Sequence, residues 1–309
     1  MIKYLLLLAA FLPLATNLNA QTGTIQERLG YSPETKLLII HADDIGVSHS
    51  ENIASIHAIE NGCVNSGSIM VPCPWFPEIA AYAAAHRDFD FGLHLTLTSE
   101  WQYFKWGPIS PITEVPGLLT EYNHFYRSRN DLKTHASAGE IERELRSQIE
   151  LALKYGIDIT HLDSHMFTLY LKPEYLAVYK KLGREYKLPI LLNAEYLTLF
   201  GLEANQHINE DIVVDKVYMA YSPDFEKGMA NYYTEVMRGM QPGLNIILLH
   251  AAYNNEEMRG VTSNHPGYGA EWRQQDFNFF TSEACENLVR EENIQLITWR
   301  EIRDKLIKD

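Results

Sequence analysis

Residues 37–44 read Leu37-Leu38-Ile39-Ile40-His41-Ala42-Asp43-Asp44, a short apolar run that ends in polar and charged groups. Such a run is typical of a strand in a parallel sheet, which helices cover on both faces. The next stretch, 49–61, carries isoleucines at three-residue spacing and stops at Gly62, which predicts an amphipathic helix. The chain therefore opens with a predicted βα unit that has two aspartates where its strand ends.

The same alternation continues along the chain. Further strands are predicted near 66–71, 91–97, 160–165, 244–249 and 294–297. Helices are predicted near 76–86, 141–153, 173–187, 228–239 and 272–291, with a terminal helix after the last strand. No element is predicted for 196–227. Repeated βα units favour an α/β fold, and we predict a distorted, mainly parallel, TIM-like β/α barrel that forms one domain over residues 37–309.

The N-terminus predicts export. Residues 1–20 combine a positive start, an apolar run and a small residue, Ala20, which is the pattern of a cleaved signal peptide. The apolar run is shorter than the ~20 residues of a membrane span, although an uncleaved anchor is the alternative. Residues 21–36 form a polar lead-in. We therefore expect a periplasmic or extracellular protein with no stable membrane insertion after the signal is removed.

The composition limits the partners. The net charge of −14 argues against nucleic acid, whose phosphates an acidic surface repels, and is compatible with a neutral substrate. Cys63, Cys73 and Cys285 are too few for a disulfide framework. One pair could bridge in an oxidising compartment, or all three could be buried thiols. The oligomeric state is left open.

Polar side chains fall where the predicted strands end. Asp43 and Asp44 end the first strand, His165 and His250 end two others, and His94 lies inside a fourth. In a parallel β/α barrel the carboxyl ends of the strands carry the active site. These side chains are therefore predicted to meet around one mouth of the barrel.

Asp44, His94 and His165 form a predicted metal site. Two imidazoles and one carboxylate with open positions are typical of a catalytic rather than a structural metal. We predict one divalent cation, zinc or magnesium; zinc suits two imidazoles better. By itself His94, which lies in an apolar strand, is better explained as a core histidine than as a ligand.

The neighbouring polar groups have predicted roles in hydrolysis. Asp43 could be the general base; the alternative is that one of the two adjacent aspartates caps the following turn or helix. His161, Asp163 and His165 lie at a spacing of two, so in a strand they share one face, and Asp163 could orient a ligand imidazole. His250 could protonate a departing amine, or be a hydrogen-bonded histidine at the rim.

An aromatic-rich insertion occupies residues 99–135. Trp101, Tyr103 and Trp106 are predicted to stack on sugar rings, with a structural lid as the alternative.

Taken together, these segments resemble the YdjC-like carbohydrate deacetylases, the group that includes chitooligosaccharide deacetylases. Three ordered motifs carry the resemblance, which spans roughly residues 37 to 305. They are His41-Ala42-Asp43-Asp44-Ile45-Gly46-Val47-Ser48 with Asn52, Gly92-Leu93-His94-Leu95-Thr96-Leu97, and Thr160-His161-Leu162-Asp163-Ser164-His165. Weaker similarity continues through Leu249-His250 and Arg273. Arg273, like Asp163 and His161, is predicted to contact the metal ligands and to orient them.

The resemblance implies a barrel of the polysaccharide-deacetylase type and a metal-dependent enzyme that removes an N-acetyl group from an acetylated amino sugar. It implies that Asp44, His94 and His165 hold the metal and that Asp43 is the base. His250 matches the histidine of a late His-Pro-Gly segment, but Ala251 and Ala252 follow it here. His265-Pro266-Gly267 is the alternative counterpart.

Met166 and Phe167 stand where the family has further histidines, which implies an altered pocket. Two other functions fit the same scaffold, since a fold does not fix an activity. One is hydrolysis of a different amide or ester, and the other is sugar binding without turnover.

Overall fold

A computed structural model of the protein describes residues 23–209 and 211–307. The predicted signal peptide, residues 1–20, lies outside the described residues. The strands are β1 (Lys36–Ile45), β2 (Ser66–Ile69), β3 (Phe91–Leu95), β4 (Leu162–Ser164), β5 (Lys216–Met219), β6 (Gly243–Leu249) and β7 (Ile294–Leu296).

The strands form one parallel sheet that curves into a distorted barrel. Their order is β4-β3-β2-β1-β6-β5, and β7 pairs with the first residues of β1. The segment 189–192 bridges the two edges. Leu162 exchanges backbone hydrogen bonds of 3.0 Å with Pro189 and Leu191, and Val214, just before β5, donates to Leu192 at 2.8 Å. The predicted α/β barrel is therefore confirmed, with closure through an irregular segment.

Helices surround the sheet. They are α1 (Ile25–Leu29), α2 (His49–Asn61), α3 (Phe76–Ala85), α4 (Arg129–His135), α5 (Ala138–Lys154), α6 (Pro173–Glu185), α7 (Ala194–Leu199), α8 (Ala204–His207), α9 (Ser222–Lys227), α10 (Met229–Gly239), α11 (Glu256–Val261), α12 (Ala270–Phe280), α13 (Glu283–Glu291) and α14 (Trp299–Leu306). Within the two described ranges, no helix is both long and apolar enough to cross a membrane.

The structure differs from the sequence analysis in three places. The helix predicted over 272–291 is two helices, because Ser282 caps α13 by accepting a hydrogen bond from the backbone N–H of Cys285. The stretch 196–227, for which no element was predicted, contains α8, β5 and α9 together with the end of α7. The polar lead-in, 21–36, also forms α1 and the first residue of β1.

A β-bulge near the end of β1 decides where the two aspartates point. The pairing with β2 runs Ala42 to Gly67 and Ile45 to Ile69, so β1 contains one extra residue between the pairs. Asp44 accommodates it with a φ of 62°, in the left-handed region. The normal alternation of side chains is broken there, and Asp43 and Asp44 both line the same cavity.

Candidate metal centre

The carboxyl ends of the strands surround a cavity of about 430 Å³, within the usual range for small-molecule sites. All of the side chains predicted to meet at the barrel mouth line it: Asp43, Asp44, His94, His165 and His250. Each sits at or just beyond a strand end, so the parallel sheet gathers residues that are far apart in sequence. The convergence expected from the strand order is therefore observed.

The three predicted metal ligands form a compact group. One ligand atom from each of Asp44, His94 and His165 lies within 4.8 Å of the others. Oδ1 of Asp44 is 3.6 Å from Nε2 of His94 and 3.3 Å from Nδ1 of His165. This oxygen is buried and accepts no hydrogen bond from the residues that the structure describes. A buried carboxylate oxygen without a partner is costly, and here it faces two imidazole nitrogens.

Two carboxylates fix the ligand imidazoles from behind. His94 Nδ1 lies 2.6 Å from Oδ1 of Asp163, and His165 Nε2 lies 3.0 Å from Oε2 of Glu100. Ligating histidines usually hydrogen-bond a carboxylate through the nitrogen that does not hold the metal. The other nitrogen of each ring is thereby directed towards Asp44. Asp163 was predicted for this position, whereas Glu100 lies in a loop where no spacing rule could have found it.

Arg273 fixes the remaining oxygen of Asp44. Its guanidinium donates to Oδ2 of Asp44 at 2.8 Å and also bonds the carboxylate of Glu51. Burial alone would raise the pKa of Asp44, but Arg273 and the adjacent imidazoles hold that pKa well below its usual value. Asp44 is therefore an anion with one oxygen held and one free. Glu51, on the first turn of α2, was not anticipated from the sequence.

The donor set fits a divalent cation. It supplies an unpartnered carboxylate oxygen and two oriented imidazole nitrogens, all buried, at the edge of a cavity that leaves room for further ligands. Three protein ligands with open positions are typical of catalytic zinc, and the nitrogen ligands suit zinc better than magnesium.

Asp43 lies beside this group without capping a helix. Its Oδ1 accepts a hydrogen bond of 3.4 Å from Ser68 and lies 3.1 Å from Nε2 of His41. The cap of α2 is Ser48, which accepts from the backbone N–H of Glu51. The capping alternative for Asp43 is therefore wrong.

His161 lies behind the centre and does not line the cavity. Its Nδ1 is 2.9 Å from the hydroxyl of Thr160, and its ring stacks on Trp299. Nε2 is 3.7 Å from Asp163 and has no hydrogen-bond partner within the described ranges. His161 was predicted to lie close to the metal ligands; it is connected to His94 through Asp163.

His250 faces the centre from β6. Its Nε2 is 3.9 Å from Oδ2 of Asp44, and its backbone N–H donates to Asp276 at 3.0 Å. Burial lowers the pKa of His250 to about 4, so the imidazole is neutral near pH 7. His265, the alternative, also lines the cavity, with Nδ1 2.6 Å from the carbonyl of Gly267.

The predicted stacking aromatics are only partly at the cavity. Trp101 lines it, with the Arg273 guanidinium 5.3 Å from its ring. Tyr103 is 72% exposed and Trp106 is buried, its indole N–H bonded to the carbonyl of Thr98, and neither lines the cavity. The wall is instead formed by other aromatic residues: Phe167, Tyr196, Phe200, Tyr221 and Tyr268. Most come from segments that the sequence analysis could not assign, and Met166 joins them.

Fold and site together define a parallel β/α-barrel protein with an aspartate–histidine–histidine cluster at the carboxyl ends of its strands. The sequence pattern of the YdjC-like protein family matches residues 37–291, and the chain belongs to this family.

Known proteins resemble the chain over most of its length. A carbohydrate deacetylase of Thermus thermophilus is 29% identical over 287 residues, which are 91% of this chain and 98% of the relative. A carbohydrate deacetylase of Brevibacillus brevis is 27% identical and covers 86% of this chain and 99% of its own. A solved structure from Enterococcus faecalis, provisionally named for cellobiose-phosphate cleavage, superimposes with a TM-score of 0.71 at 22% identity. It covers 87% of this chain and 99% of its own, which shows the shared fold.

Proposed function

We propose that this protein is a metal-dependent hydrolase that removes an N-acetyl group from an acetylated amino sugar or a short oligosaccharide. The observation that carries the proposal is the unpartnered Oδ1 of Asp44, which faces two oriented imidazoles beside the second carboxylate of Asp43. The names of the relatives from Thermus thermophilus and Brevibacillus brevis support the reaction and the substrate class.

Asp44, His94 and His165 would hold the cation, zinc or magnesium. When bound, it would polarise the acetyl carbonyl and lower the pKa of a water molecule. Asp163, Glu100 and Arg273 keep the three ligands oriented, which limits the reorganisation that binding requires.

Asp43 and His250 would move the protons. Asp43 is adjacent to the predicted metal ligands but is not one of them. Its carboxylate would accept the proton of the attacking water. The proton that Asp43 takes from the water has to reach the departing amine, and His250 Nε2 would relay it. Because burial lowers the pKa of His250 to about 4, the imidazole would take up this proton only during the reaction and would release it readily.

The test combines elemental analysis of the purified protein with acetate release from a panel of N-acetylated and O-acetylated sugars. We expect about one zinc or magnesium per chain and acetate from the N-acetylated members. Acetate only from esters would replace the proposal with an esterase. A protein that binds the sugars but contains no metal and releases no acetate would show a binding protein.

We also propose that the protein is exported, on the basis of residues 1–20 alone. Expression in a bacterium, followed by cell fractionation and N-terminal sequencing, tests this. Mature protein beginning near Gln21 outside the cytoplasm is expected. A chain that keeps its first twenty residues and stays in the cytoplasm would contradict export.

A further inference from the structure

His41 lies at the centre of the polar groups behind Asp43. It is fully buried and precedes Asp43 by two residues on β1, so both side chains leave the same face of the strand. Its Nε2 is 2.9 Å from Oδ2 of Asp163 and 3.1 Å from Oδ1 of Asp43. One imidazole edge therefore contacts the proposed base and the carboxylate that orients His94.

Charge favours this arrangement. Asp43, Asp44 and Asp163 bring three carboxylates into one buried region, and Arg273 contacts only Asp44 among them. Burial would lower the pKa of His41, but Asp163 and Asp43 raise it to about 10. His41 therefore remains an imidazolium near neutral pH and offsets the negative charge of the two carboxylates that it contacts.

Two serines also contact the imidazole, one at each ring nitrogen. Nδ1 lies 2.9 Å from the hydroxyl of Ser66, and Nε2 lies 3.1 Å from the hydroxyl of Ser68, both on β2. Ser68 donates in turn to Oδ1 of Asp43. Because the ring cannot turn without breaking these contacts, the Oδ1 side of Asp43 is fixed and Oδ2 remains to accept a proton.

We propose that His41 is a positioning residue: it holds the carboxylate of Asp43 in the orientation for proton transfer and does not itself touch the substrate. The chain of contacts from His94 through Asp163 to His41 and Asp43 ties the base to the metal ligands. The inference rests on the proposed function for its kinetic consequences, but the contact itself can be tested without turnover.

The kinetic test is His41→Gln in the full chain. We expect kcat to fall about 10- to 100-fold, with KM and metal content within about twofold, because only the orientation of the base is lost. Asn245→Ala is the matched control: Asn245 is buried and bonds the backbone of Leu37 at the other end of β1. The control should lose stability and keep its kcat. A folded His41→Gln enzyme with unchanged kcat, or one that loses metal in parallel with turnover, would overturn the proposal.

A double-mutant comparison shows whether His41 acts through Asp43. In the Asp43→Asn background, His41→Gln should reduce the residual rate no further. Full additivity of the two effects would overturn the proposed route.

A third measurement needs no activity. Asp43→Asn should shift the ring ¹⁵N resonances of His41, which are identified by their loss in His41→Gln, whereas Asn245→Ala should not. Unshifted resonances would refute the contact. Shifted resonances in a protein that releases no acetate would refute the proposed function while the contact stands.

Discussion

The two carboxylate oxygens of Asp44 have different contacts. Oδ2 accepts the hydrogen bond from Arg273, and Oδ1 faces the two imidazoles. The left-handed backbone at this residue makes the division possible, because an ordinary strand would send Asp43 and Asp44 to opposite faces. The strained conformation is tolerated by Asp better than by β-branched residues, and it places two adjacent carboxylates at one cavity.

Asp43→Asn and His94→Ala should separate the base from the ligands. Asp43→Asn should keep the metal and lower kcat by about 10²–10⁴, since one proton acceptor is lost. His94→Ala should weaken metal binding directly, because a ligand atom is removed. Elemental analysis after dialysis, with initial rates on the same samples, checks both. Equal metal loss in the two variants would mean that the roles of base and ligand are assigned wrongly. A full metal content in His94→Ala would mean that His94 is a core histidine and not a ligand.

Arg273→Lys tests whether the hydrogen bond from Arg273 to Asp44 supports metal binding. An ammonium group cannot bond two separate carboxylates with the fixed geometry of a guanidinium. We expect the metal affinity to fall about 10- to 100-fold, measured by competition with a chromophoric chelator. Glu51→Gln is the control, because it removes the ionisable carboxyl of the other partner of Arg273 and leaves the bond to Asp44. Equal metal affinity in Arg273→Lys and the parent would reduce Arg273 to a structural ion pair.

At the residue scale, the sequence predicted the residues that end strands, together with Arg273 on α12, and missed Glu51 and Glu100. Asp44, His94 and His165 followed from their positions in the strand pattern. Glu100 comes from a loop and Glu51 from a helix, so their roles depend on tertiary packing that no local spacing records.

Strand β3 carries His94, and its Gly92 makes space for the ring of His161. A Cβ on Gly92 would overlap the imidazole of His161, which packs against Trp299 on its other side. We therefore expect Gly92→Ala to lower the free energy of unfolding by about 1–3 kcal/mol, as overpacking does in other cores. Urea denaturation measures the change.

Gly139→Ala is the matched control for Gly92→Ala. A Cβ at position 139 of α5 meets nothing within 4 Å, and alanine suits a helix better than glycine. Its free energy of unfolding should stay the same or rise by up to about 1 kcal/mol. If the two variants lose equal stability, steric overlap with His161 is not the cause.

Periodic elements were predictable and irregular ones were not. The continuous apolar run of β1 and the three-residue spacing in α2 are local signals. The stretch 196–227 contains helices of six residues or fewer and a strand of four, too short to show a period. Much of the aromatic wall comes from this region, so the substrate-facing surface was the least predictable part of the site.

On the scale of the whole molecule, helix α14 links the segments that lead into two strands of the barrel. The backbone N–H groups of Trp299 and Arg300, at the start of α14, donate to the carboxylate of Asp90, which precedes β3. Arg300 and Arg303 both bond Asp158, which lies ahead of β4. Helix α14 therefore fastens the amino ends of two strands whose carboxyl ends carry His94 and His165. The order of βα units predicted the barrel, but these long-range ion pairs could not be predicted from it.

Asp158 should give this fastening a measurable dependence on pH. Arg303 and Arg300 overcome the effect of burial and lower the pKa of Asp158 from 3.8 to about 2. A depressed carboxyl pKa stabilises the fold above its unfolded value, and this stabilisation is lost as the pH falls through the folded value. Asp158→Asn should therefore lower the free energy of unfolding by about 1–2 kcal/mol at pH 7, after allowance for partial solvent screening.

The difference between parent and Asp158→Asn should stay constant down to about pH 5 and shrink to roughly half by pH 3, as the carboxyl of the unfolded chain becomes protonated. Urea denaturation at pH 7, 5 and 3 measures it. Glu195→Gln is the control, because Glu195 is 61% exposed and pairs only at the surface with Lys216, so it should change stability by less than about 0.5 kcal/mol throughout. A loss in Asp158→Asn that is the same at pH 3 and pH 7 would mean that α14 is held by hydrogen-bond geometry and not by charge.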